Sequence, residues 1–206
     1  MEYVSSLFTG LLTGYGLIIA IGAQNTYVLT QGLKKQFRWQ VVLTCSSIDA
    51  LLIVIGLMGM GALVQKSEAI LNLITWAGIL FLTLYGAKAF LNAFKGEYLD
   101  TSRSTQPTVA NRKDVLFTTL ALSLLNPHVY LDTVILLGSI GGRLPVELRV
   151  AFGLGAVIAS FSWFFVLGIG SQLVAPWFKK PGAWKLLDLL VGSVMWSIAA
   201  TLYIHL

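Results

Sequence analysis

Six stretches of this sequence are apolar for longer than a globular core requires, at about 7–30, 39–63, 70–94, 115–140, 150–175 and 184–204. Each exceeds the roughly 20 residues that carry an α-helix across the hydrocarbon of a bilayer. The runs are continuously apolar, without the alternation of a membrane strand, so they predict helices and not a barrel. Only 11% of the 206 residues are charged and 56% are hydrophobic, with a mean hydropathy of +0.80. A soluble domain is roughly a quarter charged, and this chain lacks the polar side chains to cover its own surface. The expected class is an all-α integral membrane protein with six transmembrane helices. The first stretch does not read as a cleavable signal, since only Glu2 precedes it and no small-residue cleavage site follows.

Loops rich in Lys and Arg stay in the cytoplasm, which orients such a bundle. The loops after the first, third and fifth stretches hold Lys34, Lys35, Arg38, Lys95, Arg103, Arg112, Lys113, Lys179, Lys180 and Lys185, ten in all. The other side holds three: Lys66, Arg143 and Arg149. The odd loops, 95–114 among them, are therefore expected in the cytoplasm, with both termini outside. The formal charge of +5 reflects this loop bias. It is no nucleic-acid patch, because no basic face exists away from the membrane.

The longest polar interval, "KGEYLDTSRSTQPTVANRKD" at 95–114, divides one transmembrane domain (1–206) into repeat one at 1–95, a cytoplasmic linker at 96–114 and repeat two at 115–206. Three spans per half is an odd number, so the two repeats would lie inverted in the membrane, a common transporter plan. "WAGILFLTLYGA" (76–87) lines up with "LVGSVMWSIAAT" (190–201) at Gly78 and Gly192, and "GAQNTYVL" (22–29) falls at a place related to "NPHVYLDT" (126–133). Pro127 lacks an N–H and clashes with the turn before it, so helix four should be interrupted there. Gly16 and Gly22 are weak points at which helix one can open. Interrupted helices survive in hydrocarbon only where they face protein or a watery cavity, and a matched pair of them points to a midplane substrate site. Gln24, Asn25, Asn126 and His128 cluster at these two interruptions.

Three ionisable groups are read as lying well within the spans: Asp49, Lys88 and Asp132. Such groups are expensive at the bilayer centre, at about 2.5–3.5 kcal/mol on insertion scales, and tend to be functional. Lys88 is close enough to the cytoplasmic end of helix three for its stem to snorkel to the headgroups. Asp49 is ten residues inside helix two, which at about 1.5 Å per residue places it near the midplane, beyond a carboxylate's reach to water. Ser46, three residues earlier, is expected on the same face. Asp132 and His128 are four apart on one helical face, where they could share a proton, and Asp132 is expected further outward than Asp49. Cys45 is the sole cysteine, so neither a disulfide framework nor a dithiol relay exists within one chain, and it reads as a packing residue. His205, at the chain end, carries no inference.

"GAQNTYVLTQG" (22–32), Asp49, "LLNPHVYLDTVILLGSIGG" (124–142), "SFSWFFVLG" (160–168) and "VGSVMWSIA" (191–199) resemble the LysE family of bacterial basic amino-acid exporters over almost the whole chain. The resemblance implies that Gln24, Asn25, Asp49, Asn126, Pro127, His128 and Asp132 belong to the transport path. It also implies a multi-pass protein of the bacterial inner membrane that exports L-arginine and L-lysine as a secondary transporter by proton antiport, without a cofactor or metal. Family members often carry Pro where this chain has Ala23, so the helix-one break should be softer here. Sister families that move threonine, homoserine and other neutral amino acids typically carry Lys at the position of His128, which favours a basic cargo. Neutral amino-acid export stays open as the alternative. A membrane-embedded enzyme is disfavoured: a phosphotransferase would need clustered acids for Mg²⁺, and no Walker motif is present. A passive channel is disfavoured too. The expected partners are the amino-acid cargo, protons and the lipid bilayer, and the sequence leaves the oligomeric state open, a homo-oligomer included.

Overall fold

A computed structural model describes residues 1–19, 22–35, 37–60, 68–95, 111–179 and 181–204. Most of the expected linker (96–110), together with Lys66, Lys180 and His205, lies outside the described residues. Every described element is helical: α1 (Glu2–Ile18), α2 (Ala23–Leu33), α3 (Arg38–Ile55), α4 (Glu68–Lys95), α5 (Arg112–Leu124), α6 (Pro127–Gly142), α7 (Val146–Val174) and α8 (Pro181–Ile204). A π-helical turn, Gly56–Met60, continues α3, and α6 is π-helical over Leu131–Leu137. Four stretches, Arg38–Gly59, Thr75–Phe94, Val146–Trp177 and Gly182–Ile204, are long and apolar enough to cross a bilayer singly. The bent pairs α1–α2 and α5–α6 would each cross as one broken span, making up to six.

The outside of the bundle suits lipid. On α4, Leu73, Trp76, Leu80, Leu84, Leu91 and Phe94 are all exposed, at the three- and four-residue spacing of one helix face. Lys88 is exposed on the same face, as a snorkelling lysine would be. Cys45 is buried in the main apolar cluster with Val41, Val42, Leu82, Phe164 and Met195.

Apolar side chains gain little from leaving apolar lipid, so close backbone approach through small residues holds such helices together. Along α1, Gly10 lies over the backbone of Phe152 and Gly14 over Ala156 and Ala159, while Gly155 of α7 lies against the backbone of Leu7 and Leu11. The pairing of α3 with α6 works in the same way, with Gly138 set against Gly56. Between α4 and α8, Gly86 receives Trp196 and Gly192 receives the ring of Phe90. The Phe90 and Trp196 rings meet edge to face at 5.0 Å, and Trp196 Nε1 donates to the Thr83 carbonyl at 3.2 Å. Gly78, by contrast, packs on the Leu125 carbonyl. Gly78 and Gly192 therefore meet different partners, although their segments can be aligned. Arg149 ties the end opposite the basic loops, where its guanidinium donates to the carbonyls of Gly142, Leu144 and Leu57.

Gly155→Ala would place a methyl group in the α1 backbone, which cannot yield as a side-chain tip can. It should cost about 1–3 kcal/mol and lower the melting temperature in detergent. Gly170→Ala on the same helix, where a Cβ meets nothing within 4 Å, should leave melting within about 0.5 kcal/mol of the parent. Equal melting of the two variants would remove the glycine contact as the basis of the α1–α7 pairing.

Candidate functional site

Both breaks expose backbone groups that hydrocarbon cannot satisfy, and residues of the two motifs close them. Pro127 takes the first position of α6, where its missing N–H is harmless. Asn126 precedes it in an extended conformation (φ −96°, ψ 106°) and its Oδ1 accepts from the His128 N–H at 3.2 Å. Tyr130 Oη reaches back across the break and donates to the Leu124 carbonyl at 2.8 Å. At the other break, Asn25 Nδ2 donates to the Ile18 carbonyl at the end of α1, 2.9 Å away. Trp163 Nε1 of α7 donates to Asn25 Oδ1 at 3.4 Å. The two asparagines therefore have cap roles that their polarity alone did not specify.

The bend between the described helices is the larger at helix one. The axes of α1 and α2 differ by 81°, against 58° at the proline break. Gly22 is extended at the start of α2 (φ −124°, ψ −177°). Gly16 lies within α1, away from the break.

Between the two breaks lies a cavity of about 260 Å³. Gln24, Asn25, Asp49, Asn126, His128 and Asp132 all line it, together with apolar residues including Leu17, Ile18 and Ile198. Pro127 is buried behind it. Six of the seven residues singled out from the sequence thus converge on one space. That space, at roughly the lower end of the range for small-molecule sites, suits a cargo the size of an amino acid. No Lys or Arg lines it.

Asp49 is 2% exposed. Its Oδ2 accepts from Ser160 Oγ of α7 at 2.9 Å, while Oδ1 has no partner among the described residues. Ser46, expected beside it, instead turns back to the Val42 carbonyl at 2.9 Å. Gln24 is held by a hydrogen bond from its Nε2 to Ser123 Oγ at 3.0 Å. His128 and Asp132 both face the cavity, with no hydrogen bond or ion pair between them among the described residues. Asp49 and Asp132, expected on separate helices at different depths, both line this cavity.

Sequence reasoning missed Ser160, Ser123 and Thr133, because small hydroxyls in apolar helices commonly bond their own backbone and carry no distinct signal. It also missed Asp188, a buried acid on α8. A carboxylate inside an apolar run was the available signal for that residue.

The family described as LysE type translocator matches residues 16–206. Among curated relatives, the arginine exporter protein ArgO of Yersinia enterocolitica is 40% identical over 190 residues, 92% of each chain. The protein of the same name from Escherichia coli K12 is 40% identical over 198 residues, 96% of this chain and 93% of its own. The one from Klebsiella pneumoniae 342 is 40% identical over 192 residues, 93% and 90%. No solved structure matches.

Tyr130→Phe removes the hydroxyl that closes the Leu124 carbonyl, and an unsatisfied acceptor away from water costs about 1–3 kcal/mol. The variant should melt at a lower temperature in detergent. Tyr203→Phe, which removes an exposed hydroxyl with no hydrogen bond among the described residues, should not. A Tyr130→Phe protein as stable as the parent would mean that the break is held by Asn126 and Pro127 alone.

Proposed function

The chain belongs to the LysE type translocator family, and from that premise we propose that it is a secondary exporter of L-arginine, with L-lysine as a second cargo, driven by inward proton movement. It is a transporter and not an enzyme, as its relatives are. Its expected seat is the inner membrane, with the basic loops in the cytoplasm.

One observation carries the choice of a cationic cargo. The cavity between the breaks contains two carboxyl groups and no Lys or Arg, and an oxygen of the deeper acid, Asp49, lacks a donor. A buried carboxylate without a partner is costly, and an arginine guanidinium supplies the paired donors it lacks. Gln24, Asn25 and Asn126 add amides suited to the cargo's α-amino and α-carboxyl groups. A proton is the other ligand that removes the cost. A carboxyl group that holds either the cation or a proton, never both, couples their movements in opposite directions. The exchange also spares the cargo's electrical cost, about 2.3 kcal/mol per 100 mV for one charge leaving an inside-negative cell.

We read residues 1–95 and 115–206 as two inverted three-helix repeats, with helices 1 and 4 as the corresponding broken members. Three features support this reading. Each broken span carries an asparagine cap at its break. Each packs by glycine on a helix of the opposite or adjoining half, α1 on α7 and α6 on α3. Both breaks border the same cavity. Alternating access would then be the exposure of that cavity to one face and then the other.

Asp49→Asn keeps the volume and removes the charge. Arginine efflux from preloaded proteoliposomes should fall by more than about tenfold, as expected when one partner of a buried charged pair is lost, with the protein still folded. Efflux at the parent rate would reduce Asp49 to a packing residue and end the cation reading.

His128→Gln keeps a polar group of similar reach and cannot carry a proton. At fixed internal pH, arginine efflux by the parent should rise as external pH falls, because external protons displace the cation from the carboxyl groups. His128→Gln should flatten that dependence with little change in melting temperature. A parent protein indifferent to external pH would rule out proton exchange, and an unaltered slope in the variant would take His128 out of the proton path.

A further inference from the structure

A second cavity, of about 510 Å³, lies at the basic end of the bundle and shares no lining residue with the one between the breaks. The α2–α3 loop brings Lys35 to it, the first turn of α3 brings Arg38, and the start of α5 brings Arg112. Three cations from three parts of the chain thus share one space, and no acid lines it among the described residues. Arg112 is set in place by its Nε, which donates to Gln40 Oε1 of α3 at 2.9 Å. A guanidinium has five N–H donors, and this bond uses one. Arg38 lies over the Trp39 ring, 4.6 Å from its centroid, an arrangement that holds the charge against an aromatic face. Lys35 and Phe37 both take the left-handed backbone (φ 55° and 48°). Residues with side chains rarely adopt it, and it persists only where the surroundings hold it.

The surface that leads from this cavity along the bundle is apolar. On α3, Trp39 and Leu43 are exposed one turn apart, and on α7 Ile169 and Leu173 repeat the same spacing. The two helices meet beside them. Gly168 of α7 lies against Val42 and Trp39, and the rings of Trp39 and Phe165 stand 5.5 Å apart. Trp39 therefore belongs to both features, since it lines the cavity and also packs in the seam between α3 and α7. Tryptophan is suited to such a junction, with one side apolar and the other at the level of the headgroups.

Three cations around a cavity, with an apolar seam running from it, match a molecule that has an anionic head and apolar tails. We propose that this cavity seats an anionic phospholipid, with its phosphate against Lys35, Arg38 and Arg112 and its acyl chains along Trp39, Leu43 and Ile169. Guanidinium groups pair with phosphate oxygens through charge-assisted hydrogen bonds, and basic pockets between membrane helices take anionic headgroups. A free phosphate would use the cations and leave the seam empty. A zwitterionic lipid would bring an ammonium group of its own to three like charges. A cationic amino acid would meet the same repulsion, so this is not a site for the exporter's cargo. The proposal stands apart from the exporter reading and needs only that the apolar helices lie in a bilayer.

The test is saturation binding of radiolabelled dioleoyl phosphatidylglycerol to the purified full-length protein in detergent, with the 96–110 segment present. The parent should bind it saturably. Arg112→Gln should weaken binding by on the order of tenfold, the size of one charge-assisted hydrogen bond, and Arg38→Gln by a similar factor. Lys113→Gln, which removes an exposed charge next to Arg112 but outside the cavity, should leave binding unchanged. Melting temperatures establish that each variant is folded, and Arg38→Gln decides the matter if loss of the Gln40 bond unfolds Arg112→Gln. The site is overturned if the parent shows no saturable binding, or if a folded Arg38→Gln or Arg112→Gln protein binds as the parent does. It is also overturned if Lys113→Gln weakens binding as much as Arg112→Gln, since diffuse surface charge would then account for it. Competition separates the sources. Dioleoyl phosphatidylcholine competing on equal terms would reduce the site to its apolar seam. Inorganic phosphate competing on equal terms would make it a phosphate site without a lipid. Either result overturns the proposal.

Discussion

Every backbone polar group in a bilayer must find a partner within the protein, and the rest of this structure depends on how two breaks meet that demand. An unbroken helix answers it at no cost. A helix interrupted near the midplane leaves carbonyls and amides in a medium that offers no water. Here the same short motifs that interrupt the helices also close the loose ends. Asn126 and Tyr130 do so at one break, and Asn25, itself held by Trp163, at the other. The polar residues are thus structural before they are anything else, and the cavity is what remains between two properly capped ends.

The positions of those ends follow from packing. Gly10 and Gly14 bring α1 against α7, which also carries Ser160 and Trp163. Gly56 and Gly138 bring α3, with Asp49, against α6, with Asp132. Close contact through glycine leaves no room for a sliding fit, so the carboxyl groups, the amides and the helix ends hold their places by backbone contact. Gly78 on the Leu125 carbonyl extends this logic to α4, whose exposed face carries large apolar side chains and Lys88.

Much of this was legible in the sequence, and the limits are physical. Long, continuously apolar runs identify helices because a membrane strand would alternate, and Pro127 identifies one break because its ring disfavours a continuous turn. Ala23 carries no such mark, so the sharper break was the less visible one. Asp49 and Asp132 stand on separate helices in the sequence, and only the packing of those helices shows that both line one cavity. Helical spacing puts Ser46 on the face of Asp49, yet the hydroxyl that reaches Asp49 is that of Ser160, 111 residues away. Tertiary pairing of that kind has no local signature.

The way in which Asp49 is held bears on how an exporter of cations can turn over. A carboxylate surrounded by fixed donors is stable and inert, since any cargo would have to displace partners already in place. One paired with a fixed Lys or Arg would repel cationic cargo outright. Among the described residues, Asp49 has one serine hydroxyl on Oδ2 and an open Oδ1, and no Lys or Arg lines its cavity. The single hydroxyl orients the group while leaving the larger part of its desolvation cost unanswered. That unanswered cost makes binding favourable for a guanidinium or for a proton, and makes the empty, charged state the least favourable of the three. A transporter whose unloaded, charged site is its least favourable state has reason to exchange one ligand for the other and not to leak either. In the exchange proposed above, coupling would need no separate device: it would follow from giving one buried acid half of what it requires.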